Sequence, residues 1–240
     1  MGAGLVIIPT YNEIENIEAI LTAVLNLPEQ FHVLVVDDNS PDGTADSVIS
    51  LQKKFEGRLF LEKRMIKNGL GTAYVHGFKW ALERNYPYIF EMDADFSHDP
   101  KDLARLLAAC KENGGIAIGS RYVTGVNVVN WPLSRVLLSY GASVYVRLIT
   151  GMNIKDTTAG FMCYSRRVLK DINLDKIRFV GYAFQIEMKY RAYIKNFPII
   201  EIPIIFTDRK LGESKMSSGI IKEAVLGVIE LRIRKLLNKL

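Results

Sequence analysis

The segment YIFEMDADFSHDPKDLARLLAACKE, residues 88–112, contains a strand, a polar turn and a helix in the order that decides the fold. The apolar run Tyr88–Met92 is typical of a buried strand, whereas Pro100–Glu112 has the periodicity of a helix. Pro100 suits the first helical position, because its fixed φ is helical and its missing N–H would have no partner there. We therefore predict a strand that ends in Asp93-Ala94-Asp95 and leads into a helix.

The same alternation of strand and helix runs through the first 120 residues. Further short apolar runs predict strands at Leu5–Pro9, His32–Val36, Leu59–Leu61 and Ile116–Ile118. Helical patterns lie between them at Ile14–Leu25, Thr44–Phe55 and Thr72–Arg84. This alternation favours an α/β fold, here one domain with a mostly parallel central sheet that helices cover on both faces.

Polar clusters follow directly after three of the predicted strands. They are Thr10-Tyr11-Asn12-Glu13, Asp37-Asp38-Asn39-Ser40 and Asp93-Ala94-Asp95. Ligands of open parallel sheets bind beyond the carboxyl ends of the strands. We therefore expect the three clusters to converge on one binding site at that edge.

Asp93 and Asp95 have the chemistry of a metal site. Two carboxylates one residue apart at a strand end can both reach a hard divalent cation. Such a cation can neutralise a diphosphate and support its departure as a leaving group. The alternative is an acidic turn that only caps the next helix. We expect His98, close by, to be a cap or a surface residue rather than a ligand.

The first two polar clusters suit a nucleotide. Tyr11 can stack on a base, while the Glu13 and Asp38 carboxylates can accept hydrogen bonds from a base or ribose. Asn12 alternatively caps the first helix, and Ser40–Gly43 reads as a turn into the second. The glycine-rich Asn68–Thr72 can present backbone donors to a diphosphate. Arg64 and Lys67 nearby can bind the same anion or can be surface charges.

The pattern after residue 120 is less regular. We predict loops at Val123–Trp131 and Thr207–Gly219, helices at Leu133–Ile149 and Phe184–Ile194, and strands at Phe161–Tyr164 and Ile199–Phe206. Pro203 interrupts the last strand, so we expect it at an edge of the sheet.

Composition and charge narrow the class of protein. The chain has 240 residues, of which 49% are hydrophobic, and this excludes wholesale disorder. Cys110 and Cys163 are expected to be buried free thiols. No signal peptide is recognisable at Met1–Pro9, and no apolar run approaches the roughly 20 residues that span a bilayer. Of the net charge of +5, residues 207–240 supply +4, which favours an anionic surface; nucleic acid is not expected.

Taken together, the motifs resemble those of the polyprenol-phosphate (dolichol-phosphate) mannosyltransferases of glycosyltransferase family 2. The matching segments are PTYNE (9–13), VVDDNSPDGT (35–44), GLGTAY (69–74), MDADFSHDP (92–100), GSRY (119–122), DTTAGF (156–161) and GESKM (212–216). The resemblance implies a GT-A (Rossmann-like) catalytic domain over residues 1–219. It also implies inverting transfer of mannose from GDP-mannose to a polyprenyl or dolichyl phosphate at a membrane surface.

The resemblance also implies roles for individual residues. The nucleotide-sugar site would comprise Pro9, Tyr11, Glu13, Asp38, Asp93 and Ala94, with Arg209 and Lys215 over the diphosphate. Mg²⁺ or Mn²⁺ would be held by Asp93, Asp95 and Ser97. The acceptor phosphate would be held by Arg121 and Arg135, and Asp156 would shape the acceptor side of this site. Catalysis would rest on Asp93, Asp95, Arg121 and Arg135.

The acceptor decides whether the enzyme needs a general base. A phosphate monoester has a second pKa near ~6, so it is largely dianionic at neutral pH and can attack the sugar unaided. Transfer to a sugar hydroxyl would instead need a base, for which Glu187 and Asp156 are candidates. The motifs are also compatible with glucosyl transfer from UDP-glucose to a lipid phosphate, and with a non-catalytic nucleotide-binding or membrane-scaffold subunit.

Residues 220–240 predict an amphipathic C-terminal helix. Its largely apolar surface and late cations suit a helix in the membrane interface, and this would make the protein peripheral on the cytoplasmic face. The alternative is a helix packed on the catalytic domain or on a membrane partner subunit.

Overall fold

The protein is described from a computed structural model, which covers residues 3–209, 218–237 and 240. Its strands are β1 Leu5–Thr10, β2 His32–Asp37, β3 Leu59–Lys63, β4 Tyr88–Glu91, β5 Ile116–Ser120, β6 Val128–Val129, β7 Met162–Ser165, β8 Ile199–Pro203 and β9 Phe206–Thr207. Its helices are α1 Ile14–Leu25, α2 Thr44–Gln52, α3 Leu70–Glu83, α4 Asp102–Asn113, α5 Leu133–Thr150, α6 Arg166–Asp171, α7 Tyr182–Ile194 and α8 Ser218–Leu236, with a 3₁₀ turn at Leu174–Lys176.

Within the described residues, seven strands form a central sheet in the order β3-β2-β1-β4-β7-β5-β8. Its pairs are parallel except where β7 inserts antiparallel between β4 and β5. The prediction of an α/β domain with a mostly parallel sheet is therefore confirmed. The carboxyl ends of β2, β1 and β4 lie side by side, which fixes where the three polar loops emerge.

Side chains of the central strands alternate between two apolar layers. In β1, Leu5 and Ile7 join the core cluster on one face of the sheet, whereas Val6 and Ile8 join the cluster on the other. All four are fully buried, and each such side chain contributes about 1.5–3 kcal/mol of burial free energy. The sheet that carries the site is therefore rigid, because both of its faces are packed.

Several predicted boundaries need correction. The helix expected from Pro100 begins at Asp102, because the Asp99 carboxylate accepts a hydrogen bond from the Lys101 N–H at 2.9 Å and closes a turn first. The strand expected over Ile199–Phe206 divides: β8 ends at Pro203, on the edge of the sheet as predicted, and β9 leaves to pair with β6. The predicted loop Val123–Trp131 thus contains a short strand.

Helix α8 packs with one of its faces and exposes another. Val228 and Leu231 are buried, and the Tyr145 hydroxyl of α5 donates to the Val225 carbonyl at 2.9 Å. Leu226 is 56% exposed and Ile233 is 50% exposed. None of the helices in the described residues is both long enough and apolar enough to cross a membrane.

Candidate active site

The loops after β1 and β2 are built together. Within this pair, the Thr10 hydroxyl donates to Asp37 at 2.9 Å, and the Glu13 N–H donates to the Thr44 hydroxyl at 3.0 Å. Asp42 accepts from the Ile14 N–H at 3.1 Å, so it helps to cap α1 from the neighbouring loop. The N-cap residue of α1 is Glu13 rather than Asn12, and the Glu13 side chain makes no capping hydrogen bond. Thr44 and Asp42 accept the first N–H groups instead.

Asp38 pairs with Arg64, for which the sequence also allowed the role of a surface charge. Arg64 donates from Nε and Nη2 to the two Asp38 oxygens at 2.6 and 2.7 Å, and from Nη1 to the Thr72 hydroxyl at 2.7 Å. Lys67 lies 4.2 Å above the Tyr11 ring. The predicted nucleotide residues therefore lie beside two cations, which suits an anionic ligand.

The glycine-rich segment has a packing role. The Gly71 N–H donates to the Val180 carbonyl at 2.8 Å, and a Cβ on Gly71 would lie 2.8 Å from the Phe184 ring. That N–H is therefore already used. The close approach to residues 179–184 explains the glycine without a diphosphate.

Asp95 is fixed from both sides. The Ser97 N–H and hydroxyl donate to Asp95 Oδ1 at 3.0 and 2.6 Å, and Arg209 Nη2 lies 2.8 Å from Asp95 Oδ2. Phe96 between them has φ +59°, a strained value for a bulky residue, and this turn lets Ser97 fold back onto Asp95. Ser97, predicted as a metal ligand, lies here as a buried donor that orients Asp95.

Asp93 is the carboxylate on which both sides of the cleft act. Its side chain keeps 39% of its surface exposed, so a ligand can reach it. Removal from bulk water and then the Asp95 carboxylate raise its pKa; Glu13 adds to this, whereas Arg209 and Arg121 oppose it. The charges of Glu13, Asp95, Arg209 and Arg121 therefore all act on Asp93.

The donor set fits a Mg²⁺-type ion. Within the described residues there is no cluster of three or more His, Cys, Asp or Glu side chains in a metal-binding arrangement. Two carboxylates suffice for Mg²⁺, which commonly takes its other ligands from water and substrate phosphates. The Arg209 guanidinium on Asp95 is a stand-in cation, and it shows that this position attracts positive charge.

His98 is not the cap or surface residue that we expected. It is 3% exposed, stacks on Phe161 at 4.8 Å between ring centroids, and meets the edge of Phe206 at 5.3 Å. Burial lowers the pKa of His98 to about 4, so the ring is neutral at physiological pH. Its Nδ1 lies 4.0 Å from Asp93 Oδ2. His98 thus forms a buried aromatic wall beside Asp93.

Arg121 is locked to a buried carboxylate. Its backbone N–H, Nε and Nη2 donate to Asp156 at 3.0, 2.7 and 2.6 Å, and Nη2 also donates to the Thr158 hydroxyl. Asp156 is fully buried, and the Arg121 guanidinium, with its hydrogen bonds, holds the pKa of that carboxyl below its usual range against the opposing effect of burial. Asp156 itself is fixed by Glu201, which accepts its N–H at 2.8 Å.

Arg135 lies on the same side and has a different carboxylate partner. Its Nη1 donates to both oxygens of Asp208 at 2.9 Å, and its guanidinium stacks 4.2 Å from the Trp131 ring. Arg121 lies 5.4 Å from the same ring. The two arginines predicted for the acceptor phosphate therefore converge on Trp131.

Residues 206–209, called here the strap, join the two sides. The Thr207 N–H donates to the Ser97 carbonyl at 3.2 Å, and the Asp208 N–H donates to the Val129 carbonyl at 3.1 Å. The strap thus lies between the Asp95-Phe96-Ser97 turn and the segment before α5. Lys215, predicted over the diphosphate, lies outside the described residues.

The two candidate bases for a sugar hydroxyl are both engaged with cations. Glu187 is fully buried and accepts from Arg191 Nε and Nη2 at 2.9 and 2.7 Å, and also from two backbone N–H groups. Asp156 accepts hydrogen bonds from two nitrogens of the Arg121 guanidinium, and its pKa is lowered. Both carboxylates already accept hydrogen bonds from arginine, so neither is placed to take a proton from a sugar hydroxyl.

A buried polar network lies beneath the site, and the sequence patterns did not predict it. Lys189 is fully buried, donates to the Ala159 carbonyl at 2.6 Å, and has its pKa lowered to about 8 by burial. Glu91 accepts from the Tyr164 hydroxyl at 2.9 Å and from Gln185, and burial raises its pKa to about 7. A charged residue amid the apolar positions of α7 was the available signal.

Comparison with known proteins gives consistent findings. A profile of glycosyl transferase family 2 matches residues 5–173. Polyprenol monophosphomannose synthase of Mycolicibacterium smegmatis is 47% identical over 235 residues, which cover 98% of this chain and 89% of that protein. Undecaprenyl-phosphate mannosyltransferase of Micrococcus luteus is 46% identical over 224 residues, which cover 93% and 91%.

A solved structure shows the same fold. Glucosyl-3-phosphoglycerate synthase of Mycobacterium tuberculosis, in complex with Mn²⁺, UDP and phosphoglyceric acid, matches with a TM-score of 0.69 at 14% identity. The match covers 98% of this chain and 77% of that one. At this identity the likeness shows the fold alone, which is the GT-A type that the resemblance implied.

Proposed function

Because the chain belongs to glycosyl transferase family 2, we propose that it transfers mannose from GDP-mannose to a polyprenyl phosphate, with inversion and with Mg²⁺ or Mn²⁺. The observation that carries the proposal is that the acidic turn and the arginines lie together. Arg209 pairs with Asp95, its neighbour Asp208 pairs with Arg135, and the charge of Arg121 acts on Asp93. The names of its relatives, at 46–47% identity over almost the whole chain, support the mannosyl group and the lipid phosphate.

The donor side suits a nucleoside diphosphate sugar. Tyr11 offers a ring for a base, while Glu13 and Asp38 offer carboxylate acceptors. Guanine presents adjacent N–H donors, which carboxylates accept well, and this favours GDP. We assign Asp93 and Asp95 to the metal, which when bound would neutralise the departing diphosphate.

The acceptor side suits a phosphate monoester. Arg121 and Arg135 converge beside Trp131, and Asp156 and Glu201 fix the first of them. We assign both guanidinium groups to the acceptor phosphate, which they would orient towards the anomeric carbon. The dianion is itself the nucleophile, so the engagement of Glu187 and Asp156 with arginines is no obstacle.

The lipid acceptor calls for contact with a membrane, and α5 and α8 offer a surface for it. Exposed apolar side chains recur at helical spacing on both helices: Leu133, Leu137, Tyr140 and Leu148 on α5, and Leu226, Ile229, Ile233 and Leu236 on α8. Arg232 and Lys235 lie beside the α8 set, near the position of anionic headgroups. We infer that this face makes the protein peripheral on the cytoplasmic face of a membrane.

A transfer assay tests the proposed reaction. Labelled GDP-mannose, GDP-glucose and UDP-glucose are each offered with a polyprenyl phosphate and Mg²⁺ or Mn²⁺. We expect organic-phase label from GDP-mannose, lost with EDTA. Label from UDP-glucose instead would replace the donor assignment, and no transfer from any of the three would refute the proposal.

Vesicle flotation tests the membrane surface separately. The double variant Leu226→Glu/Ile233→Glu should float less with anionic vesicles than the wild type, because both side chains are exposed. Glu230→Gln, on the same helix, serves as the matched control. Equal flotation of all three proteins would refute this assignment while leaving the transfer reaction untouched.

A further inference from the structure

The strap places two side chains of opposite charge against the two halves of the cleft. Asp208 pairs with Arg135, and the next residue, Arg209, pairs with Asp95. Both partners are residues that the proposed function assigns to ligands, one to the acceptor phosphate and the other to the metal. Each therefore already carries a protein group of the charge that its ligand would bring.

The pair made by Asp208 differs from the neighbouring pair made by Asp156. Asp156 has no exposed side-chain surface and accepts three hydrogen bonds from Arg121. Asp208 is 29% exposed and Arg135 is 34% exposed, and the pair is made through one guanidinium nitrogen. A pair that water reaches contributes little net free energy, so an incoming anion can replace Asp208 but not Asp156.

We propose that Asp208 is a positioning residue that occupies Arg135 until the donor site fills, and thereby sets the order in which the two substrates bind. This inference rests on the proposed function, since it takes Arg135 as a phosphate ligand. Both pairs depend on a short stretch of backbone, which is hydrogen-bonded to the Ser97 and Val129 carbonyls.

The physical link between the two sites is the peptide unit between residues 208 and 209. A divalent cation at Asp95 competes with the Arg209 guanidinium for the same carboxylate oxygen. Arg209 must then move, and its displacement pulls on the adjacent Asp208. Arg135 is left to the acceptor phosphate. By linkage, a bound acceptor must equally strengthen the binding of the metal and nucleotide.

Calorimetric titration with a short, water-soluble isoprenyl phosphate tests the proposal. The wild type, Asp208→Asn and Asp208→Glu are titrated with and without Mn²⁺ and GDP. For the wild type we expect the isoprenyl phosphate to bind about 5- to 20-fold more tightly when Mn²⁺ and GDP are present, a usual range for coupled sites. Asp208→Asn should bind it tightly in both conditions, and Asp208→Glu should restore the dependence.

A kinetic readout separates positioning from a merely structural role. Asp208→Asn should lower the KM for the isoprenyl phosphate while leaving its thermal unfolding temperature close to that of the wild type. Equal affinity of the wild type with and without Mn²⁺ and GDP would overturn the proposal, as would weaker binding by Asp208→Asn. If no variant binds the isoprenyl phosphate while Mn²⁺ and GDP still bind, the acceptor assignment itself fails.

Discussion

The donor side and the acceptor side of the cleft differ in how their charges are balanced. On the donor side, Asp93 and Asp95 lie close enough to raise the pKa of Asp93, and Arg209 on Asp95 is only partly buried. On the acceptor side, Arg121 and Arg135 each have a carboxylate within hydrogen-bond distance. The Asp93 and Asp95 pair is thus short of positive charge, although Arg64 and Lys67 lie beside Asp38 and Tyr11. The acceptor side is locally neutral.

This difference teaches what each side must gain from its ligand. The donor side gains most from a cation, because two carboxylates then share it. On the acceptor side, a dianion can bind an arginine only where that arginine's carboxylate partner can be displaced. Variants on the two sides should therefore fail in different measurements.

The largest expected effect is on the donor side. Asp95→Asn should lower the rate of mannosyl transfer by about a thousandfold, the scale seen when one group that stabilises a developing charge is lost. The assay is transfer at saturating donor and acceptor. Asp175→Asn is the control, because that carboxylate is exposed and pairs with Lys79 elsewhere on the surface. A loss below about threefold for Asp95→Asn would contradict the assigned role.

On the acceptor side, Asp156→Asn should act first on stability. It leaves the Arg121 guanidinium buried without its partner, and losses of this kind are about 3–5 kcal/mol in the free energy of unfolding. Urea denaturation measures it. Asp38→Asn, which affects the Arg64 fork, should lower stability less, because Asp38 accepts fewer protein hydrogen bonds. Equal losses would remove this contrast between the two sides.

The pH dependence of the same variant has a defined sign. The pKa of Asp156 is lowered in the folded protein from 3.8, so its contribution to stability is complete above that unfolded value and declines as the pH falls below it. The stability difference between wild type and Asp156→Asn should be constant from about pH 8 to pH 5 and shrink below about pH 4. A difference that grows on acidification would contradict the pairing.

The next effect should appear in acceptor kinetics alone. Arg135→Ala should lower kcat/KM for the polyprenyl phosphate by about 30-fold, as expected for a charge-assisted contact worth about 2 kcal/mol. The affinity for GDP and Mn²⁺ should stay within about twofold. Arg105→Ala, which removes an exposed helical arginine, is the control. Collapse of donor affinity with normal acceptor kinetics would refute the assignment.

The smallest effect should appear in donor binding alone. Arg64→Lys keeps the charge beside Asp38 but loses the two-pronged geometry, so GDP should bind about fivefold more weakly. Acceptor KM should not change. Fluorescence or calorimetric titration with GDP measures the first quantity. An effect on the acceptor KM measured at saturating donor would contradict this assignment, because the strap couples the two sides only through the occupancy of the donor site.

The donor side was largely predictable because its signals are local. Each polar cluster follows its own strand, and the parallel order of β2, β1 and β4 brings the clusters to one edge. The partner of each charge was not predictable. Arg64 and Asp38 meet through a parallel pairing, and Arg135 meets Asp208 across 73 positions of sequence.

Two misses have physical reasons. Strand β7 runs antiparallel between β4 and β5. A strand that is buried on both faces is apolar throughout in either direction, so its periodicity could not reveal this order. His98 was expected at the surface because it follows an acidic turn. It is buried because Phe161 and Phe206, which are distant in sequence, close over it.

Anomalous diffraction from crystals grown with Mn²⁺ and GDP would test the assignment of the cleft most directly. We predict one strong manganese peak bound by the carboxylates of Asp93 and Asp95, with the diphosphate on the same ion and Arg209 no longer on Asp95. A peak elsewhere, or GDP bound away from the ends of β1, β2 and β4, would contradict it.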